Sequence, residues 1–231
     1  MVFFFTCSDP QYVVYMGKDK FENDELMKYG FPEDIWFHVD SLSSAHVYLR
    51  LPAGSMDLAG LKDKAVAKQK LLDMIASVPA PIVNEMCQLT KANSIDGCKL
   101  ERCDVVYTPF LNLRKDVGMD TGSVGFKDEA FRTVTKCEKD KEIIKILEKT
   151  RTERKVDFVK EKEQRDEEER MRRRKNIEAD KLKEKEDAKK SAEEKELKSY
   201  TTLQTLEMSS NAHASKTGTL EECREIEEDF M

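Results

Sequence analysis

The fold is most constrained by two apolar runs joined by a polar turn, Pro32-Glu-Asp-Ile-Trp-Phe-His-Val-Asp-Ser-Leu-Ser-Ser-Ala-His-Val-Tyr-Leu-Arg-Leu51. The runs Ile35 to Val39 and Ala45 to Leu51 predict two strands, and the residues between them are enough for a hairpin loop. Because side chains alternate along a strand, one face of the first strand carries Trp36, His38 and Asp40. The other face carries Ile35, Phe37 and Val39.

Further strands and helices lie on both sides of this hairpin. Similar runs predict strands at Val2 to Cys7, Tyr12 to Met16, Val105 to Thr108 and Phe131 to Cys137. Apolar residues at helical spacing predict helices at Asp24 to Tyr29, Asp57 to Ser77 and Ile82 to Asn93. We therefore expect an α+β fold: a compact mixed sheet domain with about three helices, followed by a long charged α-helix.

Charge is distributed unevenly along the 231 residues. The chain is 37% charged and 39% apolar, with a formal net charge of −6. Residues 137–199 hold 22 Lys/Arg and 20 Asp/Glu, and a segment with this charge density cannot build a hydrophobic core. Residues 200–231 hold 2 Lys/Arg and 7 Asp/Glu. We expect a domain over residues 1–137, a long charged helix or coiled coil over 138–205, and an acidic disordered tail over 206–231.

Neither proline nor glycine occurs from Phe126 to Thr217, which predicts helix over most of that length. Between Val159 and Ile177, Met171 is the only strongly apolar residue, so a coiled-coil seam is interrupted. Acid-before-base pairs at i,i+4 favour a solvated single helix, and a weak or hetero-oligomeric coiled coil is the alternative. The pairs are Glu161–Arg165, Asp166–Arg170, Glu168–Arg172, Glu169–Arg173, Glu186–Lys190 and Glu194–Lys198.

The composition also excludes several protein classes. No window approaches the roughly 18–20 uncharged apolar residues of a membrane span, and Val2 to Cys7 lacks the basic leader of a signal peptide. The six cysteines form no C-x-x-C pair and are expected to be reduced thiols. We expect a soluble cytoplasmic or nuclear protein, with peripheral attachment to a membrane as the alternative and no integral insertion.

Catalytic and metal-binding motifs are missing from the sequence. It contains no G-x-S-x-G, no H-E-x-x-H and no Walker A loop. His38 and His46 could face each other across the hairpin, but adding Asp40 or Cys7 follows no ligand spacing. We expect no enzymatic activity, no metal and no cofactor, with the two histidines serving the structure or contacting RNA.

A glycine and two lysines follow the second predicted strand, at Gly17-Lys-Asp-Lys20. A glycine at a strand exit lets the backbone turn sharply. Lys18 and Lys20 would then present ammonium groups to solvent, which suits the positioning of a phosphate backbone. The alternative is an ordinary solvated turn.

Two other basic stretches allow both a functional and a structural interpretation. Arg172-Arg-Arg-Lys175 is a solvated helix face, a contact for rRNA, DNA phosphates or an acidic membrane, or a nuclear localisation signal. The Pro52 to Pro81 segment forms a second basic patch or a solvated helix through Lys62, Lys64, Lys68 and Lys70.

Three motifs together resemble the NFACT-R (NFACT RNA-binding) domain family: Tyr15-Met-Gly-Lys-Asp-Lys-Phe-Glu-Asn-Asp-Glu-Leu26, Pro32-Glu-Asp-Ile-Trp-Phe-His-Val-Asp40 and Ser43-Ser-Ala-His-Val-Tyr-Leu-Arg-Leu51. The resemblance becomes closer with Lys91-Ala-Asn-Ser94 and Val105-Val-Tyr-Thr-Pro109, and it covers residues 1–205. The chain departs from the pattern at Ser44-Ala45, where multidomain relatives often have Gly-Ser.

The resemblance implies nucleic-acid binding, to RNA or to DNA. The residues expected to bind are Lys18 and Lys20 of the family's G-K loop, Trp36, His38 and His46 of its D-I-W-x-H and H-V signatures, and Arg50. Related multidomain proteins join this module to parts that act on stalled large ribosomal subunits and tRNA. Those parts are missing here, so the resemblance allows ribosome association and implies no peptide-tailing chemistry.

Two hypotheses of function follow. The first is a non-catalytic nucleic-acid-binding module that engages phosphate through the Gly-Lys loop and uses the charged helix as a docking arm. The second is a helical adaptor that binds a protein partner or a membrane periphery, including DNA sensing at a membrane. Its contact residues would be Ile143, Leu147, Phe158, Leu203, Leu206 and Met208.

Overall fold

The computed structural model describes residues 1–55 and 64–198, and the chain divides into two units, residues 1–166 and 167–231. The strands are β1 Val2–Phe5, β2 Val13–Gly17, β3 Asp34–Val39, β4 Val47–Arg50, β5 Arg102–Pro109, β6 Leu113–Arg114, β7 Gly125–Phe126, β8 Thr133–Glu138 and β9 Thr152–Arg154. The helices are α1 Lys20–Tyr29, α2 Lys64–Ala76, α3 Ala80–Ala92, α4 Lys141–Lys149 and α5 Phe158–Lys198. The tail predicted over 206–231 and the predicted helical residues 57–63 lie outside the described residues. None of the described helices combines the length and apolarity needed to cross a membrane.

Seven of the described strands form one sheet, in the order β8-β5-β3-β4-β2-β1-β9. Every pairing in this sheet is antiparallel. The β3–β4 hairpin lies near its middle, with Trp36 opposite Tyr48, and β6 and β7 form a separate two-stranded ladder. The α+β fold predicted from the sequence, with a long helix at its end, is confirmed.

The two faces of β3 enter different cores, as the alternation of its residues predicted. Ile35, Phe37 and Val39 are fully buried in a core shared with α2, α3 and α4. Trp36 and Tyr48 lie in a second core with α1, β6, β7 and the start of α5. Because burying a large apolar side chain contributes about 1.5–3 kcal/mol, this hairpin stabilises both layers at once.

Helix α1 begins four residues earlier than the sequence predicted, because Asp19 caps it. The Asp19 carboxylate accepts hydrogen bonds from the backbone N–H groups of Phe21 and Glu22, at 2.9 and 3.0 Å. An N-cap of this type contributes about 1 kcal/mol to helix stability. As a result, Lys18 and Lys20 flank the N-terminal end of α1.

The charged segment after β8 does not form one continuous helix from residue 138. Helix α4 is followed by β9, which pairs with β1 at the edge of the sheet, and α5 begins only afterwards. Thr150 helps to end α4, since its hydroxyl donates to the Leu147 carbonyl and accepts from the Thr6 backbone N–H. The otherwise open edge of β1 therefore draws this short segment into the sheet, although it contains no proline or glycine.

Three residues that the adaptor hypothesis assigned to a protein partner are occupied inside the first unit. Leu147 is 1% exposed in the core, and Ile143 packs against that core. Phe158 stacks on Tyr29, with ring centroids 6.5 Å apart. The hypothesis is wrong about Leu147, because its side chain is already buried by its own domain. Ile143 and Phe158 are partly buried by that domain. Its remaining residues, Leu203, Leu206 and Met208, lie outside the described part of the chain.

Within the second unit, α5 is a charged and solvated helix over its described residues. Glu169 forms the predicted i,i+4 pair with Arg173 at 3.2 Å, and it also pairs with Arg172. Met171 and Ile177 are 50% and 53% exposed. Charged pairs along an exposed surface support a helix with little apolar packing.

Candidate functional site

A cleft of about 810 Å³ opens at one end of the sheet, where β2 and β3 end and β4 begins. The start of α1, the residues that follow α3 and the loop before β7 complete its walls. Five of the six residues predicted to bind nucleic acid line this cleft: Lys18, Lys20, Trp36, His38 and His46.

The two lysines of the cleft present their charges to solvent. Both are exposed, and the carboxylate between them, on Asp19, is occupied in capping α1. The Lys18 ammonium lies 3.5 Å from the Glu153 carboxylate, with both side chains about half exposed. Such a solvated pair is worth at most about 1 kcal/mol, so it leaves Lys18 able to exchange Glu153 for another anion.

Gly17 is required by space and not by a sharp turn of the backbone. It pairs with Val2 in the sheet ladder, and it is not among the glycines with positive φ in the described residues. A Cβ atom at this position would lie 2.5 Å from Oδ1 of Asn23, on α1. The missing side chain therefore lets α1 pack closely against the end of β2, which places both lysines at the cleft.

Arg151 supplies a third cation that the sequence did not indicate. It follows α4, lines the cleft, and holds its guanidinium carbon 3.9 Å from the centroid of the Phe3 ring. The Arg151 guanidinium also lies 3.7 Å from the Glu148 carboxylate. Because Arg151 reaches the cleft through the pairing of β9 with β1, no local motif marks it. Among the described residues that line the cleft, three cations face one carboxylate, that of Asp19.

Next to these cations, Trp36, His38 and His46 form a cluster of rings. Trp36 and His38 stack with centroids 5.3 Å apart and planes 4° apart. The His46 ring stands edge-on to both, at 5.3 and 5.0 Å. The antiparallel register of β3 and β4 explains this arrangement, since it brings the end of one strand beside the start of the other.

Both histidines of the cluster are uncharged at neutral pH. Burial lowers the pKa of His38. Burial and the neighbouring His38 lower the pKa of His46 to about 3. Neutral imidazoles can donate and accept hydrogen bonds but add no positive charge. Within residues 1–55 and 64–198, no group of three or more His, Cys, Asp or Glu side chains could hold a metal ion.

Three deeply buried groups on the cleft wall lack hydrogen-bond partners within the described residues. They are Nε1 of Trp36, Nδ1 of His46 and Oδ1 of Asn23, on side chains that are 4%, 4% and 7% exposed. Leaving a buried donor or acceptor unpaired costs about 1–3 kcal/mol. Groups of this kind are the ones that a bound molecule can satisfy, so they point to recognition at the cleft.

Arg50 lies away from the cleft, in a buried ion pair. Its guanidinium donates to both carboxylate oxygens of Asp34, at 2.8 and 3.3 Å, and to the Tyr15 hydroxyl at 3.1 Å. It also covers the Phe31 ring, at 3.6 Å from the centroid. Asp34 is fully buried. The structure thus separates Arg50 from the other five predicted residues.

The sequence of the domain that contains this cleft matches a known protein family. Residues 1–128 match the family described as "NFACT protein RNA binding domain". The chain belongs to this NFACT-R family. The family's description refers to an RNA-binding domain and names no enzyme.

Individual relatives extend the NFACT-R match beyond the domain. The chain is 47% identical over 216 residues to coiled-coil domain-containing protein 25 of Bos taurus, covering 91% of this chain and 95% of that one. It is 47% identical to the Dictyostelium discoideum homolog of that protein over 171 residues, or 74% of each chain. A solved structure, the C-terminal part of the fibronectin/fibrinogen-binding protein from Streptococcus suis, aligns with a TM-score of 0.46 and 16% identity. That alignment covers 62% of this chain and 48% of that one.

Proposed function

We propose that the cleft binds nucleic acid, RNA or DNA, without catalysis. Lys18, Lys20 and Arg151 contact phosphate groups. The observation that carries this proposal is the charge of the cleft wall, whose lining residues include three cations and one carboxylate that is already used as a helix cap. Glu153 and Glu148, which pair with Lys18 and Arg151, do not line the cleft. This local excess arises in a chain whose formal net charge is −6.

The backbone of α1 supports the same assignment. Its N-terminus lies at the cleft between the two lysines and carries a partial positive charge, and the Asp19 carboxylate already accepts from the N–H groups of Phe21 and Glu22. Lysine provides charge without fixed geometry, so these contacts position a strand and do not read its sequence.

The neutral ring cluster supports contact with a base or sugar. Single-stranded nucleic acids offer unstacked bases that pack on aromatic and histidine rings and hydrogen-bond through their edges. Trp36 provides an unpaired N–H and His46 an unpaired ring nitrogen next to the cationic wall. The preferred ligand is therefore a strand with at least one unpaired nucleotide at the cleft.

The remaining parts of the chain have supporting roles in this proposal. Helix α5 acts as a spacer or docking arm, and its basic cluster, Arg172 to Lys175, provides a further polyanion contact. We place the protein in the cytoplasm or nucleus, where ribosomal RNA is one source of the ligand, with a membrane periphery as the alternative site of action.

The salt dependence of binding tests the proposal. Fluorescence anisotropy with labelled 16-nucleotide RNA and DNA strands should show weaker binding by Lys18→Ala with Lys20→Ala. The slope of log affinity against log salt should fall by about 1.4, since each single-strand phosphate contact contributes about 0.7. Lys181→Ala with Lys183→Ala, on the exposed surface of α5, is the matched control and should leave the slope unchanged. If the Lys18 and Lys20 variant kept the wild-type slope, these two lysines would not contact phosphate.

A further inference from the structure

A second depression, of about 320 Å³, lies between the end of α3 and the start of α4. Four lysines line this α3–α4 groove, namely Lys91, Lys139, Lys141 and Lys145, and Ile144 and Cys98 contribute apolar surface. No carboxylate is found among its described lining residues. The groove thus combines an apolar floor with concentrated positive charge.

The first source of that charge is a buried lysine. Lys91 is 1% exposed, and its ammonium donates to the backbone carbonyls of Glu101 and Cys137. Neither partner is charged, and within the described chain Lys91 forms no ion pair with a carboxylate. An ammonium has three N–H donors, so one is left over. In surroundings of low dielectric constant, the charge of Lys91 acts on a nearby anion more strongly than a solvated charge would.

The exposed lysines add to this field from the rim. Lys141 and Lys145 are one turn apart on α4, so they lie on the same face of the helix. The Lys139 ammonium donates to the Cys98 carbonyl at 2.8 Å, which holds it over the groove. The nearby Asp140 carboxylate caps α4 by accepting from the backbone N–H groups of residues 142 and 143. That carboxylate is therefore engaged with the helix.

The α3–α4 groove and the cleft share a wall. Asn93 lines the cleft, and its chain neighbour Ala92 lines the groove. The two depressions therefore approach each other at the end of α3, where these two lining residues have Cα atoms about 3.8 Å apart. The acidic side chain at this boundary, Asp96, is paired with Lys99 at 3.1 Å. A strand that leaves the cleft can thus enter the groove without crossing an unpaired carboxylate on this segment.

We infer that the α3–α4 groove is a second phosphate-binding site for the same nucleic-acid strand that occupies the cleft. This inference rests on the proposed function. Lys141 and Lys145 contact phosphate, Lys91 supplies fixed charge from below, and Ile144 packs against a base. A nucleic-acid strand is favoured over an acidic peptide because the groove lies next to the cationic cleft. A strand carries a phosphate at every nucleotide, so one strand can place phosphates in both the cleft and the groove.

The test compares strand lengths and variants by anisotropy with labelled oligouridylates of 4 and 16 nucleotides. Lys141→Ala with Lys145→Ala should bind the 16-mer more weakly and lower its salt slope by about 1.4. The relative loss should be smaller for the 4-mer, since it is too short to use both sites. Lys181→Ala with Lys183→Ala is again the matched control. Circular dichroism checks that α4 remains folded.

The outcomes separate this inference from the proposed function. If the Lys18 and Lys20 variant loses 16-mer binding but the Lys141 and Lys145 variant keeps the wild-type slope, the second site is refuted and the cleft assignment stands. If only the groove variant loses binding, the cleft assignment fails. Loss of polyglutamate binding by the groove variant, with an unchanged RNA slope, would instead assign the groove to an acidic peptide and overturn the inference.

Discussion

The indole of Trp36 and the imidazole of His38 lie parallel, two residues apart on β3, with their centroids separated by 5.3 Å. Strand geometry places residues i and i+2 on one face, so the stack exists before any ligand arrives. Phe126 holds the outer edge of the indole from β7, at a centroid distance of 5.9 Å. The ring surface is therefore preorganised, which reduces the entropy lost on binding.

The unpaired indole N–H leads to a first prediction. Trp36→Phe keeps an aromatic ring but removes the donor, so nucleic-acid affinity should fall by about 0.5–1.5 kcal/mol, the value of one neutral hydrogen bond. Tyr48→Phe is the control, because it removes another buried unpaired polar atom, from a residue that does not line the cleft. Anisotropy should show normal binding by Tyr48→Phe. Equal binding by both variants would contradict a role for the indole N–H.

Close packing at Gly17 leads to a second prediction. In Gly17→Ala the new Cβ would lie 2.5 Å from Oδ1 of Asn23 and 3.1 Å from its backbone nitrogen, so the buried Asn23 side chain or α1 must shift, at a cost of about 1–3 kcal/mol in unfolding free energy. Gly125→Ala is the control, since the nearest atom to its Cβ would be the flexible end of Met119, at 3.3 Å, and the Arg114 atoms nearby are at ordinary contact distances. Urea denaturation measures both variants. If the two variants had similar unfolding free energies, close packing of α1 against Gly17 would not be needed for stability.

The buried histidines predict a pH dependence of stability. The pKa of His46 falls from about 6.5 in the unfolded chain to about 3 in the folded one, so below pH 6.5 the unfolded state binds more protons. The stabilisation is complete above pH 6.5 and is lost as the pH falls towards 3. Between pH 6.5 and 5 the loss should be about 2 kcal/mol.

Denaturation of His46→Gln across the same pH range provides the check, because this variant lacks the titrating group. Its unfolding free energy should change less with pH than that of the wild type. Parallel curves would mean that folding leaves the pKa of His46 unchanged, which would contradict the prediction.

The buried pair of Arg50 and Asp34 predicts that loss of Arg50 lowers the stability of the protein but not its affinity for nucleic acid. Arg50→Ala leaves the Asp34 carboxylate buried without its partner, which should cost about 3–5 kcal/mol in unfolding free energy. Affinity for nucleic acid, measured at a temperature where the variant is folded, should be unchanged because Arg50 lies away from the cleft. Lys18→Ala should show the reverse pattern. If Arg50→Ala were stable but bound nucleic acid weakly, Arg50 would have to belong to the binding site.

Local sequence patterns predicted the centre of the molecule well. The alternation along β3 was enough to assign Ile35 and Trp36 to opposite cores. The hairpin brought His38 and His46 together. Arg50 lies four positions after His46, at the far end of β4 and about 13 Å along the strand. Its place in the same motif therefore did not mean a place in the same site.

What the sequence could not predict depends on contacts between distant segments. Arg151 reaches the cleft only because β9 adds to β1, about 150 residues away along the chain. The segment around it has helix-forming composition and no proline or glycine, so local propensity gave the wrong element. Asn23 was missed for a related reason, since its position depends on how α1 packs against Gly17.

The same β9 strand has a consequence for the behaviour of the protein in solution. It covers β1, whose Val2-Phe-Phe-Phe5 sequence would otherwise present an apolar, uncharged edge with free backbone hydrogen-bonding groups. Such an edge is a template for intermolecular strand addition and amyloid-like aggregation. β9 is only three residues long and exposed, and it carries Glu153 and Arg154. The sheet therefore ends in charged residues that discourage the addition of another strand.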